Sequence, residues 1–518
     1  MPAARRNVVV IMLDQLRRDF LSLYGCSAVP TPNLDRLAAA GVTFDRALAN
    51  APACGPGWFT LMTGRYVSDH GVWANDLPVR AGIDFLPQRM TDLGYLTGAF
   101  GKLHNWPIDD LRGFTFDKRM EMRLPGADDY SQWLRTKYDT SHSWWSNENY
   151  RWTLEPEDHY EFWSTSQAVD FIKANAGDTA AKPLFAWLQF QSPHEPFDPP
   201  TSVAGMVDAD KLPPVVQFDP GTFDHPVVEA RSARVPPEWK DREHSTKRRV
   251  AYGEMIVFLD QQIGRVLDAL DEAGIHDDTT IIVLSDHGDM LGDYSTEAKG
   301  PFPYRQCLEI PLVLANHPGL TPGSRNTDLV GTIDIAGTVL DIAGDTQPIG
   351  MSRSLLGPTA NADLPERDIN FSEFNDSIKV VESREFRCCY YPFTNDVFLY
   401  RPADDPDLTR NLADDPDHAG TVRAMLQHII DFQLIAKGVG MEVHDFVWPQ
   451  QHGLAAKDPH YVDRFTAIFP LSAEEWQRTK AAGVDASFNE PFQGSDVISP
   501  YWPPYWHVID EDGKPRAG

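Results

Sequence analysis

Short apolar runs that each stop at ionisable residues constrain this chain more than any other feature. Residues 8–13 (Val8-Val9-Val10-Ile11-Met12-Leu13) stop at Asp14-Gln15. Residues 184–190 lead into Ser192-Pro193-His194-Glu195, and residues 280–284 into Ser285-Asp286-His287-Gly288-Asp289. Continuous apolar runs of this length suit strands buried on both faces of a parallel sheet. Helix signals alternate with them. Thr31 can cap a helix that Pro32 opens, with Leu34, Leu37 and Ala38 on one face and Gly41 as its stop. From Tyr252 to Leu270, the residues Ile256, Leu259, Ile263, Val266, Leu267 and Leu270 fall at helical spacing. Strands alternating with helices predict an α/β fold, a largely parallel sheet with helices on both faces. Ligands in such sheets bind beyond the carboxyl ends of the strands, where the ionisable residues fall. The pattern predicts one site assembled from distant segments.

The chain has 518 residues. Residues 120–161, rich in Trp, Tyr, Asp and Ser, and residues 198–243, rich in Pro and Asp, read as long insertions of the kind that shape pockets. The aromatic insertion suits stacking on a sugar or ring, or a packed core of its own. Around residues 369–400 the pattern changes to short β-like pieces, Ile378-Lys379-Val380-Val381 and Val397-Phe398-Leu399-Tyr400. These predict a small antiparallel subdomain. The expected division is a catalytic α/β domain at 1–365, a small α+β subdomain at 366–437 and an extension at 438–518. The extension carries Tyr501-Trp502-Pro503-Pro504-Tyr505-Trp506, which suits an arm on a second copy in a homo-oligomer, a lid, or packing on its own domain.

The net charge of -29 argues against nucleic acid and anionic membrane partners, which are bound through Lys and Arg. It does not exclude a small anionic substrate, because local cations and metal override the global field. No stretch reaches the ~20 apolar residues of a membrane span. Arg5 and Arg6 precede the first apolar run, but that run is short, meets Asp14 and has no small-residue cleavage site, so it reads as a strand and the expected location is cytoplasmic. The five cysteines, Cys26, Cys54, Cys307, Cys388 and Cys389, are not a disulfide framework. Cys388 and Cys389 are expected on opposite faces of a strand as structural residues.

Cys54 stands apart by its neighbours, Cys54-Gly55-Pro56-Gly57-Trp58. Pro56 suits the first helical position. The thiol would then face the free N–H groups of the first turn, which favour an anion and acidify a thiol. A small buried core residue is the competing local reading. Asp14, Gln15, Asp286 and His287 carry donors that suit a hard or borderline divalent cation. Lys102 and His104 lie in Gly101-Lys102-Leu103-His104, His194 in Ser192-Pro193-His194, and Lys299 in Lys299-Gly300-Pro301. Lysines and histidines beside a metal would bind an anionic ester, neutralise the transferring group and protonate a leaving oxygen.

Together these segments resemble the sulfatase family of the alkaline phosphatase superfamily, over about residues 7–420. The resemblance rests on Pro30-Thr31-Pro32-Asn33-Leu34-Asp35-Arg36-Leu37-Ala38 with Gly41-Val42-Thr43-Phe44, the thiol motif, Thr63-Gly64-Arg65 and His70-Gly71-Val72. It continues through the Lys102, His194, Asp286 and Lys299 motifs to Leu412-Ala413-Asp414-Asp415-Pro416. Alkyl- and arylsulfatases, choline sulfatases and phosphonate monoester hydrolases are the nearest types; the last two share Asp-Gln after the first strand. The resemblance implies an alkaline-phosphatase-like sheet, mixed and mostly parallel, flanked by helices, with a smaller antiparallel C-terminal subdomain. It implies that Asp14, Gln15, Asp286 and His287 bind one divalent metal, calcium first, with manganese, magnesium or zinc as alternatives. Cys54 would be the nucleophile position, which the family oxidises to formylglycine through a formylglycine-generating enzyme. Lys102, His104, His194 and Lys299 would hold the ester oxygens and assist the leaving group, and His70 would support the nucleophile. Trp58, Asn75 and Arg65 would lie against the substrate. The family motif is Cys-x-Pro-x-Arg, and Trp58 stands where the arginine would be; an indole cannot reproduce a guanidinium fork. Three readings follow: a formylglycine sulfatase that tolerates Trp58, a phosphodiesterase or phosphonate monoester hydrolase using the unmodified Cys54 thiol, and a binding protein without turnover.

Overall fold

In the computed structural model the described residues are 5–107, 109–121, 128–138, 150–178, 182–217, 226–357, 367–375 and 377–436. The extension at 438–518, with its arm or lid, lies outside them.

The strands are, in chain order, β1 (Asn7–Asp14), β2 (Gly41–Phe44), β3 (Ala47–Leu48), β4 (Leu96–Gly101) and β5 (Phe116–Arg119). Then come β6 (Leu184–Pro193), β7 (Thr279–Ser285), β8 (Leu312–Ala315), β9 (Ser324–Asn326) and β10 (Val330–Gly331). The last are β11 (Asn370–Phe374), β12 (Ile378–Glu382), β13 (Arg387–Tyr391) and β14 (Asp396–Tyr400). Eight of them form one sheet in the order β5-β4-β6-β1-β7-β8-β2-β9. All pairings are parallel except those of β8 with β7 and β2. The sheet is thus mixed and mostly parallel.

β1 lies at its centre and is buried along its whole length. Val8, Val10 and Met12 enter one apolar layer, and Val9, Ile11 and Leu13 the other. The alternation follows from the two-residue period of a strand. β7 divides likewise, with Ile281 and Val283 on one side and Ile282 and Leu284 on the other. The helix Arg242–Glu272 covers the first layer with Ile256, Leu259, Ile263, Val266, Leu267 and Leu270. The helices Cys54–Thr63 and Asp334–Ile342 cover the second.

Some local signals resolve differently from their sequence reading. Thr31 makes no capping bond. Asp260 of the long helix caps Pro32–Ala39 instead, accepting from Leu34 N at 2.9 Å and Asn33 N at 3.1 Å. Gly41 opens β2, where a Cβ would stand 2.1 Å from Leu314 O, so close strand contact is what demands glycine there. The long helix begins at Arg242, before the apolar spacing starts, because the Asp241 carboxylate accepts from Glu243 N and His244 N.

The described part of the aromatic insertion packs as a core, in which Met120, Tyr130, Leu134, Trp152, Tyr160 and Trp163 cluster. Strands β11 to β14 form the small antiparallel sheet. On β13, Cys389 faces the cluster of Tyr391 and Tyr400, and Cys388 faces that of Met425 and Ile429 on the helix Ala419–Ala436, so the two thiols do point to opposite faces. No described helix is long and apolar enough to cross a membrane.

Glu161, on the helix Tyr160–Asn175, is wholly buried, and its Oε1 accepts from Ser192 N at 2.6 Å near the end of β6. Burial pushes its carboxyl up to about 8, against the opposing pull of Ser192 and Lys102. The unfolded chain releases this proton near 4.5 and the folded chain keeps it to about 8. This group therefore costs stability progressively as pH rises from 4.5 to 8, and no more above that. Glu161→Gln is predicted to melt increasingly above the wild type between pH 5 and pH 8. Thermal unfolding at both pH values checks this, and an unchanged gap contradicts it.

Candidate active site

The register of the sheet brings the polar strand ends together. Asp14 pairs with Pro193, Leu13 with Ser285 and Gly101 with Gln189. The carboxyl ends of β1, β4, β6 and β7 thus present Asp14-Gln15, Lys102 to His104, His194-Glu195 and Asp286-His287 at one edge. Gln15 and His104 have φ of 67° and 56°, left-handed backbone that non-glycine residues seldom adopt. Gln15 is held there by its N–H donating to Asp286 Oδ1 at 3.0 Å and its carbonyl accepting from Tyr252 Oη at 2.7 Å.

Cys54 opens the helix Cys54–Thr63 and is buried. The helix starts two residues before Pro56, which therefore occupies the first turn rather than its first position. Proline still loses nothing there, since the first-turn N–H groups have no helical partner. No side chain at Ala53 caps the helix. Asn75 does so from outside, its Oδ1 accepting from Gly55 N at 2.9 Å. The thiol lies 3.5 Å from Asp14 Oδ1 and 3.4 Å from His287 Nε2. Burial alone would raise its pKa, but Lys102, Lys299 and His287 pull it well below the ordinary thiol value. His104 lies close enough to add to that pull, though neither ring nitrogen has a hydrogen-bond partner among the described residues. Burial raises the other four, Cys307 and Cys388 to about 12. Cys54 alone of the five is acidified by its surroundings.

Asp14, Cys54, Asp286 and His287 bring donor atoms within 4.8 Å of one another, all buried. His287 Nδ1 faces Gly288 O at 2.9 Å, which leaves Nε2 toward the cluster, 3.8 Å from Asp14 Oδ1 and 3.5 Å from Asp286 Oδ2. Asp286 Oδ2 has no hydrogen-bond partner among the described residues. Burial and the neighbouring Asp14 charge push the Asp286 carboxyl up to about 6. Two abutting carboxylates, one with a bare oxygen, beside an imidazole nitrogen are a donor set that fits a divalent cation. Gln15 stands beside this set; its Oε1 accepts from Lys299 Nζ at 2.8 Å, and its Nε2 donates to Glu195 Oε2 at 2.9 Å and Asp289 Oδ2 at 2.5 Å.

Lys102 Nζ contacts Asp14 Oδ2, and Lys299 Nζ lies 2.6 Å from His194 Nε2. Burial opposes the charge on both lysines, but Asp14 and Cys54 raise their pKa values. Three further residues singled out in the sequence have contacts of a different kind. His70 sits behind the helix, its Nε2 3.1 Å from Thr60 Oγ1, and burial and Arg80 push it down to about 3, so it is neutral. Arg65 pairs with Asp69 beyond the far end of the helix. Trp58 is buried in the apolar layer against Phe59, its indole N–H without a hydrogen-bond partner among the described residues. Glu195 and Asp289, which orient the Gln15 amide, were visible within their motifs but carried no assigned role. Glu121, which accepts from Leu103 N and His104 N, had no local signal at all.

This sheet, with an acidified thiol, a cation-type donor cluster and two lysines at its carboxyl edge, defines a hydrolase of alkaline-phosphatase-like architecture. The family profile described as Sulfatase matches residues 6–345, and the chain belongs to the sulfatase family. It is 27% identical over 365 residues to an arylsulfatase of Clostridium perfringens, covering 65% of this chain and 74% of that one. It is 25% identical over 503 residues to the multifunctional alkaline phosphatase superfamily protein PehA of Trinickia caryophylli, covering 83% and 95%. A phosphonate monoester hydrolase from Silicibacter pomeroyi superposes with a TM-score of 0.70 at 25% identity, over 83% of this chain and 96% of that one.

Asn75→Ala removes the acceptor from Gly55 N in a part-buried setting. It is predicted to cost roughly 1 kcal/mol, read as a lowered denaturant midpoint. An unchanged midpoint would show that Asn75 does not cap the helix.

Proposed function

We propose that this chain is a metal-dependent hydrolase of sulfate esters in which residue 54 supplies the nucleophile. The observation that carries this reading is the Cys54 thiol, the only acidified one of the five, seated between Asp14 and His287 and under the pull of Lys102 and Lys299. Asp14, Asp286 and His287, with Gln15 beside them, would hold one divalent cation, calcium first for an oxygen-rich set. Such a cation neutralises charge on the transferring group and lowers the pKa of a nucleophile. Lys102 and Lys299 are placed to bind the non-bridging oxygens. His194, whose pKa Glu195 and Asp14 raise against burial and Lys299, suits protonation of the leaving oxygen, with His104 beside it. His70, its Nε2 3.1 Å from Thr60 Oγ1, would support the helix that carries residue 54.

If a formylglycine-generating enzyme matures Cys54, one hydroxyl of the hydrated aldehyde attacks sulfur and the alcohol leaves with a proton. Loss of the second hydroxyl proton then reforms the aldehyde and expels sulfate. Trp58 favours a second reading. It is buried and offers one N–H in place of a guanidinium. An unmodified Cys54 acting on phosphonate monoesters or phosphate diesters fits that departure, and the likeness to a phosphonate monoester hydrolase supports it. Both readings outrank a binding protein without turnover, since Lys102, His194, Lys299 and the cation donors still converge.

Parallel assays with an aryl sulfate, an aryl phosphonate and a bis-aryl phosphate, with mass spectrometry of the Cys54 peptide, test this. Aryl sulfate turnover with an aldehyde or its hydrate at residue 54 is the expected result. A free thiol with phosphonate or diester turnover selects the second reading. No turnover of any of the three contradicts both.

A further inference from the structure

The aromatic insertion reaches the active site through two buried carboxylates. Glu121 is 1% exposed, and its Oε1 accepts from both Leu103 N and His104 N at 2.8 Å. These bonds fall where His104 adopts φ of 56°, a conformation that costs a non-glycine residue and persists only when its surroundings hold it. Neither ring nitrogen of His104 has a hydrogen-bond partner among the described residues, and Glu121 acts on the backbone that carries the ring. Glu161 holds the other loop, its Oε1 accepting from Ser192 N at 2.6 Å, two residues before His194. Tyr160 Oη lies 3.3 Å from Ser192 Oγ and donates to Asp198 Oδ1 at 2.7 Å. Each glutamate adjoins a residue of the same satellite core, Glu121 next to Met120 and Glu161 next to Tyr160, and both of those residues are fully buried. Met120 N also donates to Gly101 O at 3.1 Å, at the end of β4.

We propose that Glu121 and Glu161 are positioning residues. Braced by one satellite core, they hold the Lys102–His104 and Ser192–His194 segments in the geometry that receives the anionic group. This rests on the proposal that those segments bind the ester. It assigns the insertion a task at the reaction centre.

Glu121→Gln and Glu161→Gln keep the accepting oxygen, the alanine variants remove it, and Glu121→Asp sets it one methylene short. Two readouts are used, kcat and KM with the best aryl ester, and calorimetric binding of inorganic sulfate and phosphate. The alanine variants are expected to lose at least about tenfold in kcat/KM, since misplacements of about 1 Å cost up to about a hundredfold. Their anion affinity falls in step, with unchanged metal content and circular dichroism. The glutamine variants stay within about threefold of wild type, because the hydrogen bond rather than the charge does the holding. Glu121→Asp loses activity while still folded, which keeps the test decisive if Glu121→Ala does not fold. Folded alanine or aspartate variants with wild-type kcat/KM and anion affinity overturn the inference, as do glutamine variants as impaired as alanine. A wild type that binds anion but hydrolyses no ester defeats the functional reading alone, and anion affinity then decides the positioning role. A wild type that binds neither anion defeats both.

Discussion

Two carboxylates buried side by side, Asp14 and Asp286, are the constraint on which the rest of this structure depends. The parallel register of β1 and β7 forces them together. In a water-poor site like charges at this range are costly, and the Asp286 carboxyl is pushed up to about 6 as a result. Removing either from water without compensation is untenable. The compensating groups come from segments far apart in sequence: Lys102 beyond β4, Lys299 after β7, His287 beside Asp286. The same cations acidify Cys54. One electrostatic problem and its solution thus account for the donor cluster, the lysines and the thiol together.

Much of the remaining chain fixes the backbone that carries these charges. Gln15 and His104 sit in left-handed conformations at strand ends, held by Asp286 and Tyr252 in one case and by Glu121 in the other. On the helix bearing Cys54, a Cβ on Gly57 would stand 3.1 Å from Ala51 O, tighter than most real contacts, and in ordinary contact with Asp286 Cβ at 3.6 Å. A larger residue there would press against the Ala51 carbonyl first. The scaffold therefore stores modest local strain at the site and compensates it through long-range hydrogen bonds.

The sheet was legible because β1, β6 and β7 are buried on both faces, and such strands must be written as unbroken apolar runs. Asp14, Gln15, His194, Asp286 and His287 were legible because they stand at the ends of those runs, whereas Cys54, Lys102, His104 and Lys299 were marked by their motifs alone. Where a partner comes from another segment, the local signal failed. Thr31 is a good cap by type, yet Asp260, from the long helix, caps that helix. Pro56 marked the helix near Cys54 but not its first residue, since Asn75 supplies the cap from outside. Glu121 is invisible for the same reason: nothing within its own neighbourhood shows that it will meet Leu103 and His104. His70, Arg65 and Trp58 show a related limit: their motif places them near Cys54 in sequence, and their contacts here are with Thr60, Asp69 and Phe59.

The proposed function requires that Asp14, Asp286 and His287 hold a divalent cation. Metal analysis of the purified protein after equilibration with calcium, manganese, magnesium and zinc and subsequent dialysis tests it most directly, beside the Asp14→Asn/Asp286→Asn double variant. One ion per chain in the wild type, absent from a folded variant, is the predicted result. A wild type that retains no divalent ion, or a variant that retains it in full, would contradict the account.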